Sequence, residues 1–478
     1  IYFYKNGDYN ENGYKRKVVI IVQAKLPDDF LWGNSTSSMQ TEGGAHEGGK
    51  GPSVYDTYKA TAETSDWDVA IDNYHHYEED LDLMAQQGMN CYRFQISWSR
   101  VNPQGDGEFN EEGIRYYDNL INALLKRGIQ PMICLYHFDM PLHLAKQYNG
   151  FLSRHVVDAF VRFGKEMVDR FSDRVKLWIT FNEQNLYSQT EAFRIAGYLN
   201  GDRTDEELQR IAHHVMTAHV QVANYLHVHS DAKIGGMLAF VETYPNSSLP
   251  EDAFAARQID EYLNRNLLDV WVNGHYSTEV STYIERHHFD IDFTDQDRQE
   301  FAKLKSDFIA FSYYASNVVD ATKIPAGTMP NRYLDYGAVA NPHLTATEWG
   351  WNIDPLGFRD VLTKTYNAYG IPMFPIENGI GHREEFHGQP IQDDYRIAYH
   401  RDHLRALMAA VNDDGVAVLG YLGWGLIDIP SSAGNMEKRY GMVYVNRGNH
   451  ELRDLKRVPK KSYYWFAKVI KSNGADLD

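Results

Sequence analysis

The chain has 478 residues, 43% of them hydrophobic and 23% charged, a balance expected of a soluble globular protein with material for a large core. Its formal charge of −18, from 47 basic and 65 acidic side chains, sets a surface field that repels nucleic acid and anionic membranes, so neither is expected as a partner. Two cysteines, Cys91 and Cys134, lie in apolar runs without metal or redox spacing, which predicts buried free thiols and fits a reducing, cytoplasmic setting.

Residues 1–25 are polar and rich in Tyr, Asn and Lys, and are read as an N-terminal extension, flexible or artefactual. The apolar run 18–22 is too short for a signal-peptide core, and no later stretch is long enough to span a membrane. From Leu26 onward, over 26–478, short β-branched or aromatic runs alternate with longer amphipathic stretches. FLWGNSTSSMQ (30–40), CYRFQISW (91–98), MICLYHF (132–138), LWITFNE (177–183), AKIGGMLAF (232–240), FIAFSYY (308–314), MFPIEN (373–378) and YLGWGLID (421–428) each predict a buried strand. Helical patterns such as 109–128 and 158–171 separate several of them. Strands alternating with helices predict an α/β fold with a parallel sheet, and eight repeats predict closure into a single (β/α)8 TIM barrel with elaborated active-site loops. The segments 240–260 and 316–350 are expected to be the long loops that shape the cleft. Pro375 removes a ladder donor from the seventh strand, a conflict that a local bulge would absorb.

The predicted strands carry reactive or sugar-friendly residues toward their C-terminal ends: Gln40, Arg93, His137, Asn182 with Glu183, Tyr314, Glu377 and Trp424. Barrel active sites form at that end. A glutamate ending an apolar strand ordinarily serves in a salt bridge to a helix. Two of them, one preceded by Asn and one followed by Asn-Gly, fit instead the carboxyl pair that glycoside cleavage needs. Cleavage with retention requires the two carboxyls roughly 5–5.5 Å apart. The other histidines, including His75-His76 and His213-His214, have no ligand spacing, so no metal is expected and no cofactor.

LPDDFLWGNSTSSMQTEG, YHHYEEDLDLMAQQGMNCYRFQISWSRVNPQG, CLYHFDMP, TFNEQN, FIAFSYY, PIENGIG and EKRYGMVYV, in this order from Leu26 to the C-terminus, resemble glycoside hydrolase family one. The resemblance implies a (β/α)8 barrel and retaining hydrolysis through a covalent glycosyl-enzyme, with Glu183 as acid/base and Glu377 as nucleophile. It implies that Arg93 and Tyr314 surround Glu377, that Asn182 meets the sugar 2-hydroxyl, that Gln40 and His137 bind O3 and O4, and that Trp424 is a stacking platform. These roles are physically consistent. Glu377 must stay ionised beside cationic and hydroxyl groups, while burial and the charge of Glu377 favour a protonated Glu183.

Plain β-glucosidases of the family carry a glutamate seven residues after the platform Trp, followed by another Trp. Here WGLIDIPSSAGNMEKRYG (424–441) has Ser431 and Ser432. The segment resembles the 6-phospho-β-glycosidase branch, which implies that Ser431, Lys438 and Tyr440 hold a phosphate. A glutamate at 431 would repel that group, whereas a hydroxyl donates to it and Lys438 pairs with it. The KRYG motif alone says little, since plain members share it. Phosphogalactosidase members carry Trp at the position of Ser432, so the expected substrate is a 6-phospho-β-D-glucoside. TEWGWNIDP (347–355) resembles the same branch and puts Trp349 on the aglycone side. The rival readings are a 6-phospho-β-galactosidase, a plain β-glucosidase and, more remotely, a non-catalytic sugar-binding barrel. Homo-oligomerisation stays open.

Overall fold

The computed structural model describes residues 25–478, so the N-terminal extension, apart from Lys25, lies outside the described residues. Eight parallel strands of the central sheet form its barrel, β1 (Leu31–Ser35), β2 (Cys91–Gln95), β3 (Gln130–Tyr136), β4 (Leu177–Phe181), β5 (Lys233–Pro245), β6 (Ile309–Val319), β7 (Met373–Asn378) and β8 (Gly420–Trp424), and a two-residue strand, Ala338–Val339, adds antiparallel to β6. Neighbours pair in parallel in chain order from β1 to β7, and β8 returns to pair with β1. The last seam closes at Met373, whose N–H donates to Ala417 O at 2.9 Å and whose carbonyl accepts from Leu419 N–H at 3.0 Å. The sheet is a closed (β/α)8 barrel.

Strand alternation divides the core in two. Cys91, Met132, Cys134, Leu177, Ile179, Met237, Ala310 and Leu422 cluster inside the barrel. Tyr92, Phe94, Ile133, Trp178, Leu238 and Tyr421 belong to the larger outer core under the helices. Both cysteines are buried and free. The helices that follow the strands, α1 (Asn73–Gln87), α2 (Glu111–Lys126), α3 (Arg154–Phe171), α4 (Asp205–His229), α5 (Asn266–Asn273), α6 (Pro355–Tyr369), α7 (Asp394–Asn412) and α8 (Lys461–Lys471), complete the outer layer. In α3, Val156, Phe160, Phe163, Met167 and Phe171 recur at helical spacing and are buried. Thr204 and Glu207 form a capping box that starts α4. Among the described residues no helix is long and apolar enough to cross a membrane.

Two local expectations need correction, and a third is met. The first strand stops at Ser35, because Thr36 N–H turns to Arg93 O and a one-turn helix, Ser38–Thr41, then carries Gln40. The segments 240–260 and 316–350 are not simply loops. Strands β5 and β6 run on to Pro245 and Val319, still paired beyond a register shift at Phe240–Glu242, and Pro250–Asp260 is helical. Pro375 sits at a bulge, as expected: Phe311 pairs with Pro375 but Ser312 pairs with Glu377, so β7 gains one residue there.

The loop after β8 is tied down by buried charges. Lys460 Nζ donates to Glu384 Oε2 at 2.5 Å, Asp428 Oδ1 at 2.8 Å and Gly441 O at 2.7 Å. Arg396 donates to Asp393 and Glu384, both at 2.9 Å, and to the carbonyls of Ile380 and Tyr440. Although burial opposes it, Lys460 and Arg396 hold Glu384 well below the usual carboxylate range. Removing one partner from such a network strands the other charges away from water. Lys460→Met is therefore expected to destabilise the fold by about 3–5 kcal/mol in denaturant titrations; a loss below about 1 kcal/mol would show the network to be dispensable.

Candidate active site

The C-terminal ends of the strands surround a cavity of about 360 Å³ whose walls include Gln40, His137, Asn182, Glu183, Tyr314, Glu377, Trp424 and Tyr440. Two backbone irregularities aim the carboxyls into it. Glu183 follows β4 with φ +44° and ψ +58°, a left-handed conformation that costs a non-glycine residue energy and turns the chain sharply at the strand end. The Pro375 bulge puts Glu377 opposite Ser312, so that Ile376 lies in the barrel interior while Glu377 reaches the cavity.

Strand β6 touches both carboxyls. Ser312 Oγ donates to Glu183 Oε1 at 2.5 Å, and Tyr314 Oη donates to Glu377 Oε2 at 2.9 Å. Residues two apart on one strand face stand about 7 Å from each other, and both acids line the same cavity. Under them lies Arg93, fully buried, whose Nη1 donates to Glu377 Oε1 and whose Nη2 donates to Asn182 Oδ1 at 2.6 Å. With its oxygen so occupied, Asn182 keeps its NH2 group as a donor.

The acids differ electrostatically. Burial pushes Glu377 up from the ordinary carboxylate value, and Arg93 and Tyr314 oppose the shift. Burial, followed by the negative charge of Glu377, pushes Glu183 up to about 8. With a value of about 8 to which the Glu377 charge contributes, Glu183 is the group of the pair that holds a proton near neutral pH, as an acid facing a nucleophile must. Burial and the adjacent Arg93 cation hold His137 well below its ordinary pKa, so the ring is neutral. It stacks on Trp424, with ring centres 5.5 Å apart. Gln40 is held by Ser37 Oγ, which donates to its Oε1 at 2.6 Å, and by its own donation to Pro430 O at 2.7 Å.

Lys438 stands beside this cavity, only 9% exposed, with its ammonium 3.6 Å from the ring centre of Trp351 and 5.5 Å from that of Tyr440. It has no ion pair or hydrogen bond among the described residues, and burial lowers it to about 8. Ser431 is buried in a turn where its Oγ accepts from Asn435 N–H at 3.2 Å, leaving its own proton free to donate; the next residue, Ser432, lines the cavity.

Trp349 departs from expectation. It does not line the cavity; Trp351 does. Gly350 takes φ +77° in a tight turn where Thr347 N–H donates to Trp351 O at 2.8 Å, and this turn separates the two indoles. Trp349 instead has Lys438 and Arg383 each 5.1 Å from its ring centre. Sequence reasoning also passed over Ser312, although it precedes Tyr314 by two positions and so shares its strand face.

The sequence profile of Glycosyl hydrolase family 1 matches residues 22–475. The chain is 40% identical to Aryl-phospho-beta-D-glucosidase BglA of Bacillus subtilis (strain 168), over 95% of this chain and 99% of that one. It is 38% identical to a 6-phospho-beta-glucosidase of Dickeya chrysanthemi over 95% and 99%. Its fold superimposes on a family 1 b-glucosidase from Thermotoga maritima with a TM-score of 0.83 and 29% identity, covering 95% of this chain and 99% of the other.

Because the charge of Glu377 helps to raise Glu183, neutralising Glu377 should lower the Glu183 midpoint from about 8 toward the ordinary range. Carboxyl resonances followed by NMR in the wild type and in Glu377→Gln check this. An unmoved midpoint would sever the electrostatic link between the two groups.

Proposed function

Since the chain belongs to glycosyl hydrolase family 1, we propose that it hydrolyses 6-phospho-β-D-glucosides to glucose 6-phosphate and the freed aglycone or sugar, with retention of anomeric configuration. The observation that carries the phosphate specificity is Lys438: a largely buried ammonium without an ion pair or hydrogen bond among the described residues, beside the cavity that both glutamates line. Placing an unpaired cation away from water is costly, and a bound phosphate dianion offsets that cost.

In the first step the Glu377 carboxylate attacks the anomeric carbon, the glycosidic bond breaks, and Glu183 donates its proton to the departing oxygen. The product is a glycosyl ester on Glu377. That ester removes a negative charge which had helped to keep Glu183 protonated, so Glu183 now stays ionised. In the second step Glu183 takes a proton from water, the water oxygen bonds to the anomeric carbon, and the ester bond breaks to restore Glu377. Arg93 and Tyr314 hold Glu377 oriented for attack, and the free NH2 of Asn182 serves the sugar 2-hydroxyl. Gln40 and neutral His137 bind ring hydroxyls over the Trp424 platform. Lys438, Tyr440 and Ser431 receive the phosphate. Trp351, rather than Trp349, lines the cavity beside Lys438 and belongs to substrate binding. A dianionic sugar does not cross a bilayer unaided, which together with the free thiols supports a cytoplasmic setting.

Comparing nitrophenyl β-glucoside, its 6-phosphate and the galactoside 6-phosphate tests the substrate. Overwhelming preference for the glucoside 6-phosphate is expected; equal turnover of the unphosphorylated sugar would remove the phosphate assignment, and preference for the galactoside would reverse the epimer. Lys438→Ala should raise KM for the phosphorylated substrate about 10- to 100-fold with little change in kcat, because its charge serves ground and transition states alike. Glu377→Gln should abolish hydrolysis, and azide should rescue Glu183→Gln by forming the β-glycosyl azide. Full activity in Glu377→Gln would overturn the mechanism.

A further inference from the structure

The proposed sugar ligands Gln40 and His137 lie on separate segments, one on the one-turn helix after β1 and the other just after β3. A buried three-residue bridge joins those segments. Gln95, on the inner face of β2 between them, accepts at Oε1 from both Ser38 N–H (3.0 Å) and Ser38 Oγ (2.9 Å), at the first position of the helix that carries Gln40. Its Nε2 donates to Asp139 Oδ1, and Asp139 lies two residues beyond His137. Gln95, Ser38 and Asp139 are all almost completely buried. Between His137 and Asp139 stands Phe138, held at φ +75°, a conformation that a bulky residue keeps only where its surroundings impose it.

We propose that Asp139, acting through Gln95 and through its own contact with Ser38 Oγ at 3.3 Å, is a positioning residue that holds the Gln40 and His137 segments in register, so that both side chains meet one sugar ring. The inference rests on the function proposed above and adds to it the device that sets the spacing of these two ligands. Asp139 touches no substrate. Without its carboxylate, Gln95 Nε2 loses its acceptor, the Gln95 amide is free to rotate, and the helix carrying Gln40 loses two of the bonds at its first residue.

The surroundings make this bridge sensitive to proton concentration. A small cavity of about 20 Å³ adjoins the carboxylate, bounded in part by Lys50, Ser53, Tyr55 and Ser97. Burial pushes Asp139 up to about 7, against hydrogen bonds from Ser97 and Gln95 and the field of Lys50, with Glu42 adding to the rise. Lys50 is itself paired with Asp56 at 3.3 Å, and Glu42 is held by Arg100 at 2.9 Å and by the Tyr117 hydroxyl. The hydroxyls of Tyr55, Tyr136 and Tyr187 also face this region and are neutral, raised by burial. Folded-state Asp139 therefore gains a proton as pH falls through about 7, and the bridge weakens on the acid side.

The test uses the full chain with nitrophenyl β-glucoside 6-phosphate. Asp139→Ala should lower kcat/KM about 10- to 100-fold, the scale of a modest misplacement of binding groups. In a Gln40→Ala background the same substitution should cost clearly less, because part of its effect passes through Gln40. KM of the wild type is expected to rise as pH falls from 8 to 6, and Asp139→Asn, of nearly the same shape, should flatten that rise. A folded Asp139→Ala protein with unchanged kcat/KM, or one whose loss multiplies fully with that of Gln40→Ala, would overturn the proposal. Should Asp139→Ala not fold, Asp139→Asn decides: a pH response of KM like that of the wild type would sink it. If the underlying function were wrong, the outcome would differ visibly, since the wild type would fail to cleave the phosphorylated glucoside or Gln40→Ala would cost nothing.

Discussion

Burying Glu377 as an anion on the floor of a barrel requires a buried cation, and Arg93 supplies it. The guanidinium occupies the inner face of β2, where alternation would otherwise put another apolar side chain above Cys91. A carboxylate in such a place without a partner would take up a proton and lose its nucleophilicity. The same side chain fixes Asn182 and approaches His137, with Nη2 3.5 Å from Nδ1, so that one planar cation sets the orientation of a carboxylate, an amide and an imidazole. Burial, with this charge adding to it, keeps His137 neutral, which leaves that ring able to serve as a hydrogen-bonding group toward hydroxyls.

Two lysines near the loop after β8 make the complementary point. Lys460 is fully buried and satisfied by two carboxylates and a carbonyl, and its job is to hold chain segments together. Lys438 is nearly as buried yet forms no ion pair among the described residues, its ammonium lying against three aromatic rings with Glu348 acting on it only through space. Cation–π contact with three rings replaces part of the lost hydration but leaves the ammonium donors free. In a chain of net charge −18, a pocket that keeps one cation unpaired is a local inversion of the surface field, suited to capturing an anion that the rest of the molecule repels.

The barrel was legible because its signal repeats. Every strand core predicted from a run such as CYRFQ or LWITF is a strand, and the eightfold alternation with helices left few other topologies. The errors lie where tertiary hydrogen bonds outrank pattern. Gln40 reads as the end of a strand, but the chain leaves the sheet at Ser35 and recoils into a helical turn anchored by Gln95. Trp349 and Trp351 are equivalent in sequence, and the left-handed turn at Gly350 decides which of them faces the cavity. Ser312 carries no motif of its own, and its contact with Glu183 arises only because β4 and β6 curve toward a common mouth.

Sequence alone determined the architecture, through the periodic alternation of strands and helices, and put Glu183 and Glu377 at the ends of two strands; the reading of Ser431 in place of a cleft glutamate came from the family resemblance. Tertiary structure decided how those groups are charged and aimed. The protonation of Glu183 depends on burial and on a neighbour 194 positions away, and the direction of Glu377 depends on a one-residue bulge at Pro375. The solitude of Lys438 depends on which rings close around it. Desolvation and through-space fields act over a few ångströms in the folded molecule, and no local pattern in a linear chain encodes those distances.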